Sequence, residues 1–203
     1  VIHCAALIIV PESTEKPYEY YQDNVAKSLE LFRTLRDLGC KRLVFSSSAS
    51  IYDVVPGFMV TESAPLKPSS PYARTKYMME MILRDFCAAY GMRGIALRYF
   101  NPIGAHPTAL IGELPNGVPM NLIPFLTQTA IGIREQLSVF GDDYNTPDGS
   151  SIRDYINVVD LAKAHVIAID RILNGKQKAK VETFNIGTGT GLSVLDLINA
   201  FEK

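Results

Sequence analysis

The amino-acid sequence points to part of a doubly wound α/β domain, a parallel sheet with helices on both faces, and three observations carry that expectation. Short apolar runs alternate with amphipathic stretches through residues 1–100, the pattern of strand–helix–strand units. The amphipathic stretches carry helix punctuation, with Pro17 and Ser70-Pro71 at their starts and Gly39 and Gly91 at their ends. The run Leu43-Val44-Phe45 finishes in Ser46-Ser47-Ser48, which puts hydroxyls where an open α/β sheet meets its ligands.

Each element follows from its residues. Val1 to Ala6 reads as a buried strand. From Pro17 onward, Val25, Leu29, Phe32, Leu35 and Leu38 recur at helical spacing until Gly39. Lys41-Arg42 leads into the serine-ended strand. Ser70 can cap free N–H groups and Pro71 suits the first helical position, so Tyr72 to Tyr90 is expected as a helix. Met78, Met81, Ile82, Leu83, Phe86 and Ala89 are available for its buried side. Gly94 to Phe100 is the next strand. Pro102, Pro107, Pro115, Pro119 and Pro124 then mark irregular backbone between Asn101 and Thr127. Beyond it come short elements at Leu137–Phe140 and Ile152–Val158, a helix from about Asp160 to Leu173 and a strand around Thr183–Ile186. A final helix opens at Ser193 with Asp196 at capping-box spacing. A boundary near Ile103 divides a first domain, residues 1–103, from a second, 104–203, which sends return elements to the sheet.

Composition narrows the function. Of 203 residues, 47% are apolar and 20% charged, enough for a real core. Lys and Arg number 20 against 21 Asp and Glu, so no basic field exists to hold nucleic acid or an anionic membrane. The longest apolar run, Ala5–Val10, falls far short of the ~20 residues that span a bilayer. Cys4, Cys40 and Cys87 are odd in number and form no CxxC pair, a pattern of a reduced, cytoplasmic compartment. No metal-ligand spacing is present, and His3 and His165 read as structural. The chain has no initiator Met and stops at Phe201-Glu202-Lys203 in an expected helix, which suggests a piece of something longer.

The chemistry centres on Tyr72 and Lys76, four apart and so on one helical face. An ammonium beside a phenol favours the phenolate, which brings the phenol toward the range of a general base. A strand-end serine can meet that phenol. Such a set suits removal of a proton from an alcohol while hydride leaves the same carbon for a nicotinamide, since no side chain can accept it. A lone Tyr-x-x-x-Lys is a weak signal, and the neighbouring serines and Ser-Pro helix start are what strengthen it.

These and further segments carry a resemblance. Val1-Ile2-His3, Phe45 to Ala49, Ser70-Pro71-Tyr72 with Thr75-Lys76, Leu97 to Pro107, Asn121 to Pro124, Val139 to Tyr144, Arg153 to Ile156 and Asn185 to Gly189 resemble the UDP-glucose 4-epimerase family, most of all its eukaryotic members. That family lies in the extended short-chain dehydrogenase/reductase superfamily, and the likeness runs end to end. It implies a partial Rossmann-like NAD-binding domain at 1–103, lacking the first βαβ unit, and part of a smaller α/β nucleotide-sugar domain at 104–203. The implied reaction is interconversion of UDP-glucose and UDP-galactose through a 4-keto sugar, with bound NAD as cofactor. By resemblance, Tyr72, Lys76 and Ser48 are catalytic. Asn24, Ser46, Ser47, Tyr99, Tyr72 and Lys76 line the cofactor, and Ser48, Asn101, Asn121, Phe140 and Arg153 hold the UDP-hexose. A homodimer is also implied, formed by two helices from each subunit.

Departures keep alternatives open. No glycine-rich phosphate loop or ribose-binding acid is present; in the family both precede the strand that begins here at Val1. Ile8 stands where the family has a cofactor-side lysine. The chain alone is therefore expected to turn over poorly. A truncated, non-catalytic paralogue remains an alternative, as does a 4,6-dehydratase or decarboxylase of the same superfamily. Without the resemblance, Asn101 would be a turn residue, Phe140 core, Arg153-Asp154 a surface ion pair, and Gly187, Gly189 and Gly191 a turn before Ser193.

Overall fold

The computed structural model describes residues 1–53 and 59–202. The chain forms two units, Val1–Tyr99 with Lys163–Ile186, and Phe100–Ala162 with Gly187–Lys203. The division falls at Tyr99–Phe100, a few residues before Ile103, and the segment from Lys163 to Ile186 returns to the first unit.

The first unit is built on four parallel strands, β1 (Ile2–His3), β2 (Arg42–Ser48), β3 (Arg93–Tyr99) and β6 (Val181–Ile186), in that spatial order. Strand β1 is shorter than the expected Val1–Ala6, because pairing with β2 ends at His3. Helices α1 (Val10–Glu15) and α2 (Pro17–Tyr21) precede a π-helical turn, Gln22–Ala26, that runs into α3 (Lys27–Asp37). Helix α1 was not expected from the sequence; its first turn holds Pro11, which leaves no N–H to satisfy there.

Helix α4 (Pro71–Tyr90) begins as its residues require. The Ser70 side-chain oxygen accepts the Ala73 N–H at 3.1 Å, and Pro71 occupies the first helical position. Its end needs Gly91, whose φ of +64° lies in the left-handed region that a Cβ disfavours.

Alternation along the central strands explains why helices cover both faces. Leu43 and Phe45 of β2 and Ala96 of β3 point to one side, where they pack with Phe32 and Leu35 of α3 and Met79, Leu83 and Cys87 of α4. Val44, Ile95 and Leu97 point to the other, against Ala168 and Ile172 of α6 (Val158–Leu173). Strands buried on both faces read as continuous apolar runs, and β2 does so up to its serines. Each large side chain so buried stabilises the unit by about 1.5–3 kcal/mol.

In α4 the apolar residues Met79, Leu83 and Cys87 are fully buried, while Met81 is half-exposed. The run Met78–Leu83 is apolar on several faces, so periodicity alone did not set its phase. Leu38 lies just past the end of α3 and is exposed.

The second unit contains β4 (Asn101–Ile103) parallel to β5 (Ile152–Asn157), with β7 (Gly191–Ser193) antiparallel to β5. Helix α5 (Leu122–Ala130) forms inside the stretch expected to be irregular throughout, with Pro124 in its first turn, where a missing N–H costs little. Leu137–Phe140 forms no strand. Helix α7 (Val194–Phe201) has the expected capping box: Asp196 N–H donates to Ser193 Oγ at 2.9 Å and Ser193 N–H to Asp196 Oδ2 at 3.0 Å. Among the described residues, no helix is long and apolar enough to cross a membrane.

Candidate active site

The site in the first unit is made where α4 passes the serine end of β2. Tyr72, Lys76 and Glu80 rise on successive turns of one helical stripe. Lys76 is only 4% exposed, and its Nζ donates to the Ser46 carbonyl at 2.9 Å. The same nitrogen lies 5.3 Å from the centroid of the Phe45 ring and 5.9 Å from that of Tyr72. Burial pushes the ammonium down to about 8, with the nearby Cys4 acting in the opposite direction.

Burial raises the Tyr72 phenol above its ordinary value, and hydrogen bonding by the Ser48 side chain draws it partly back. This differs from the expectation that the ammonium would hold the phenol low. Nζ spends a donor on the Ser46 carbonyl and sits over the Tyr72 ring, so burial dominates. The Ser48 hydroxyl lies 2.9 Å from that of Ser50 and accepts the Ser50 N–H at 3.2 Å, which fixes its direction.

Tyr99 ends β3 directly beside Ser48 in the parallel register. Its hydroxyl pairs with His165 Nε2 at 2.5 Å, so the histidine read as structural holds a residue expected at the cofactor. Burial raises the Tyr99 phenol, and hydrogen bonding by the Ser46 side chain opposes it. His3 is structural: it shares a hydrogen bond with Ser28 at 2.8 Å and lies against Phe32 and Phe45, with its pKa lowered by burial and by Lys76.

Two residues expected at the cofactor have side chains bonded within the fold. Ser47 points to the opposite pleat face from Ser46 and Ser48, and its hydroxyl donates to Glu80 Oε1 at 2.6 Å. Asn24, in the π-helical turn, uses its amide internally. Its Oδ1 accepts the Leu7 N–H at 2.8 Å, while Nδ2 donates to the Leu7 carbonyl at 2.9 Å and the Thr75 hydroxyl at 3.2 Å. Asn24 therefore clamps the segment after β1. Ile8, next to that clamp, is exposed.

In the second unit, Asn101 is exposed on β4 and Arg153 is exposed on β5. The Arg153 guanidinium donates to the Ile152 carbonyl at 2.7 Å and has no carboxylate partner among the described residues. The surface pair with Asp154 does not form, because Asp154 accepts the Thr188 N–H at 2.8 Å, the Thr188 hydroxyl at 2.7 Å and the Gly189 N–H at 2.8 Å. Those N–H groups therefore serve the turn that Gly187 opens. Asn121 precedes α5 without capping it and donates to Glu113 Oε1 at 2.9 Å. Phe140 is 86% exposed, not core.

The sequence reading missed Glu80 and Arg98, each 1% exposed and joined in a bidentate ion pair. The signal was there: Glu80 is one turn beyond Lys76 on the same stripe, and an acid on a buried stripe needs a buried partner.

The residues present suit a nicotinamide cofactor in one testable respect. Lys76 has three N–H donors and uses one among the described residues, so a buried cation is left able to grip a ribose diol beside Tyr72.

Comparison with known proteins reaches the same place. Residues 1–187 match the NAD dependent epimerase/dehydratase family. The chain is 50% identical over 204 residues to the UDP-glucose 4-epimerase of Bacillus subtilis (strain 168), covering 100% of this chain and 59% of that protein. It is 47% identical over 205 residues to the Mus musculus UDP-glucose 4-epimerase, covering 100% of this chain and 58% of that protein. The expected leaning toward eukaryotic members does not appear in these identities. The crystal structure of the UDP-glucose-4-epimerase from Stenotrophomonas maltophila, with bound NAD and formylated UDP-arabinopyranose, superposes with a TM-score of 0.93 at 46% identity, over 100% of this chain and 60% of that one. That from Bifidobacterium longum, in complex with NAD+ and UDP, gives 0.92 at 45% identity, with 100% and 60% coverage. The chain thus spans roughly three-fifths of these relatives' length. With the match running from β1 through β6, the chain belongs to the NAD dependent epimerase/dehydratase family.

Proposed function

We propose that this chain carries the catalytic residues of a UDP-glucose 4-epimerase, which interconverts UDP-glucose and UDP-galactose. The observation that carries this reading is Lys76, buried over the Tyr72 ring and bonded to the Ser46 carbonyl, at the serine end of β2 where Ser48 caps the next turn. NAD, when bound, supplies the hydride acceptor and donor. Tyr72 takes the proton from the sugar 4-hydroxyl as hydride leaves C4, and returns it when hydride comes back to the other face of the 4-keto sugar. Ser48, at the end of β2, orients the same hydroxyl and relays its proton. Lys76 holds the nicotinamide ribose with its remaining donors. Tyr99 and Ser46 line the cofactor beside it.

The first unit is the partial NAD-binding domain and the second the partial nucleotide-sugar domain. Arg153, exposed and unpaired with any described carboxylate, suits the diphosphate, since a guanidinium binds phosphate oxygens in bidentate fashion. Phe140 suits stacking on an aromatic base, and Asn101 and Asn121 offer amides to the UDP moiety. A dehydratase would need a carboxylate free to act as an acid beside the strand-end hydroxyls; Glu80, the buried one there, is bound by Arg98. The protein is placed in the cytoplasm, in keeping with Cys4, Cys40 and Cys87, all free thiols. It acts as a homodimer, a reading supported by the half-exposed Leu29 of α3 and Met81 of α4.

The test is Tyr72→Phe in the full-length protein. UDP-galactose turnover should fall by roughly 10²–10⁴-fold, the contribution of a positioned acid–base group, while UDP affinity measured calorimetrically stays within about twofold. Retained turnover would remove Tyr72 from the chemistry, and a large loss of UDP affinity would make its role structural.

A further inference from the structure

Resting on that reading of the site, we infer that the buried Glu80–Arg98 ion pair, with Ser47 and Tyr52, is a positioning device that holds Ser48 and Lys76 in register with Tyr72. Glu80 extends the Tyr72–Lys76 stripe of α4 by one turn. Its Oε1 accepts the Ser47 hydroxyl at 2.6 Å and Arg98 Nε at 2.9 Å, and its Oε2 accepts Arg98 Nη2 at 2.7 Å. Ser47 and Arg98 are direct partners in the parallel register, so this one carboxylate ties α4 to β2 and β3 together. Three consecutive serines then face the stripe in different ways. The Ser46 carbonyl accepts from Lys76, the Ser47 hydroxyl donates to Glu80, and Ser48 closes the strand by capping the turn that follows.

The far end of Ser48 is held by the same arginine. Ser48 caps the tight 3-10 turn Ala49–Ile51, and the next residue is Tyr52. Arg98 Nη1 donates to the Tyr52 hydroxyl at 2.7 Å, its guanidinium lies 4.9 Å from the Tyr52 ring centroid, and the Tyr52 hydroxyl donates to Asn185 Oδ1 of β6 at 2.6 Å. Ser48 therefore sits between two anchors, Ser47 on Glu80 and Tyr52 on Arg98. An ion pair this deeply buried is a costly way to gain stability, since apolar residues of similar volume often serve the fold as well. Its geometry accounts for its presence: it fixes the depth of α4 against β2, and a shift of about 1 Å at a reacting group is enough to cost a large factor in rate.

The test uses the full-length protein with its cofactor, comparing unsubstituted protein, Ser47→Ala, and the paired apolar variant Glu80→Leu with Arg98→Met. Folding is followed by near-UV circular dichroism and thermal melting. The phenol of Tyr72 is followed by NMR titration of 13C-labelled tyrosine, assigned with Tyr72→Phe. In the folded paired variant, kcat for UDP-galactose should fall at least 30-fold with KM changed less than threefold, and the Tyr72 titration midpoint should move by half a unit or more. Ser47→Ala, which removes only a hydroxyl, should show the same pattern more weakly and decides the matter if the paired variant does not fold. Folded variants with kcat within threefold and an unmoved Tyr72 titration would overturn the inference. So would losses of kcat that follow the folded fraction alone. If the unsubstituted protein does not epimerise UDP-galactose, the functional reading fails, while the Tyr72 titration still judges the positioning device.

Discussion

Lys76 shows how one residue sets a conflict between stability and chemistry. Its ammonium is buried among Phe45, Tyr72 and the Ser46 carbonyl with no carboxylate partner among the described residues, and burial pushes its pKa down from 10.5 to about 8. Below about pH 8 the folded protein carries the full cost of the buried charge. Between about 8 and 10.5 the folded state has released this proton and the unfolded state still binds it, so this group makes stability rise with pH across that window. Lys76→Met should therefore stabilise the protein at pH 7 by on the order of 3 kcal/mol, with the advantage shrinking above pH 8 and gone near 10.5. Urea unfolding of both proteins from pH 6 to 10.5 measures it, and a pH-independent difference would show that packing, not charge, governs the site. The same variant should lose turnover, because a methionine offers no N–H donor to the nicotinamide ribose. Tyr72 and Lys76 were legible in the sequence because spacing of four specifies one helix face. The direction of the phenol's shift was not, since it depends on how deeply the fold buries the ring.

At the scale of elements, caps and turns were written most plainly. Ser70-Pro71, Gly91 and the Ser193–Asp196 box all mark real boundaries, because each satisfies backbone groups through its own neighbours. Ser70→Ala should cost about 1 kcal/mol in chemical denaturation without changing where α4 lies. The glycine turn after β6 depends instead on a residue 34 positions away. Asp154 accepts the N–H groups of Thr188 and Gly189, and a Cβ on Gly187 would come within 2.5 Å of its Oδ2. Asp154→Asn should destabilise by about 1.5–3 kcal/mol, the range for hydrogen bonds to a charged acceptor, and speed hydrogen exchange at the Thr188 and Gly189 amides. Unchanged exchange there would mean the turn holds itself. Helix α1, six residues long, was not read, and neither was α5, whose proline-rich surroundings looked irregular while Pro124 in fact occupies its first turn.

For the molecule as a whole, the proposed homodimer predicts a defined change. Leu29→Glu with Met81→Glu, placed on exposed positions of α3 and α4, should convert the full-length protein from dimer to monomer in sedimentation equilibrium while leaving its circular dichroism intact. A dimer that survives both charges would place the interface elsewhere. The exposed Phe140 and Arg153, which has no carboxylate partner among the described residues, belong to the second unit, where the sequence alone had equally allowed a core ring and a surface ion pair.

By itself, the chain's order of residues determined the alternation of strands and helices, the caps, and the Tyr72–Lys76 pair beside a serine-ended strand. These depend on spacing within one element or between adjacent ones, and such spacing is a local property. Only the tertiary structure decided that Ser47 turns to Glu80, that Arg98 joins Tyr52 to that pair, that Asn24 holds Leu7, and that Tyr99 meets His165. Each of those partnerships joins residues brought together by strand register or helix depth, and burial leaves a polar group no water to bond instead.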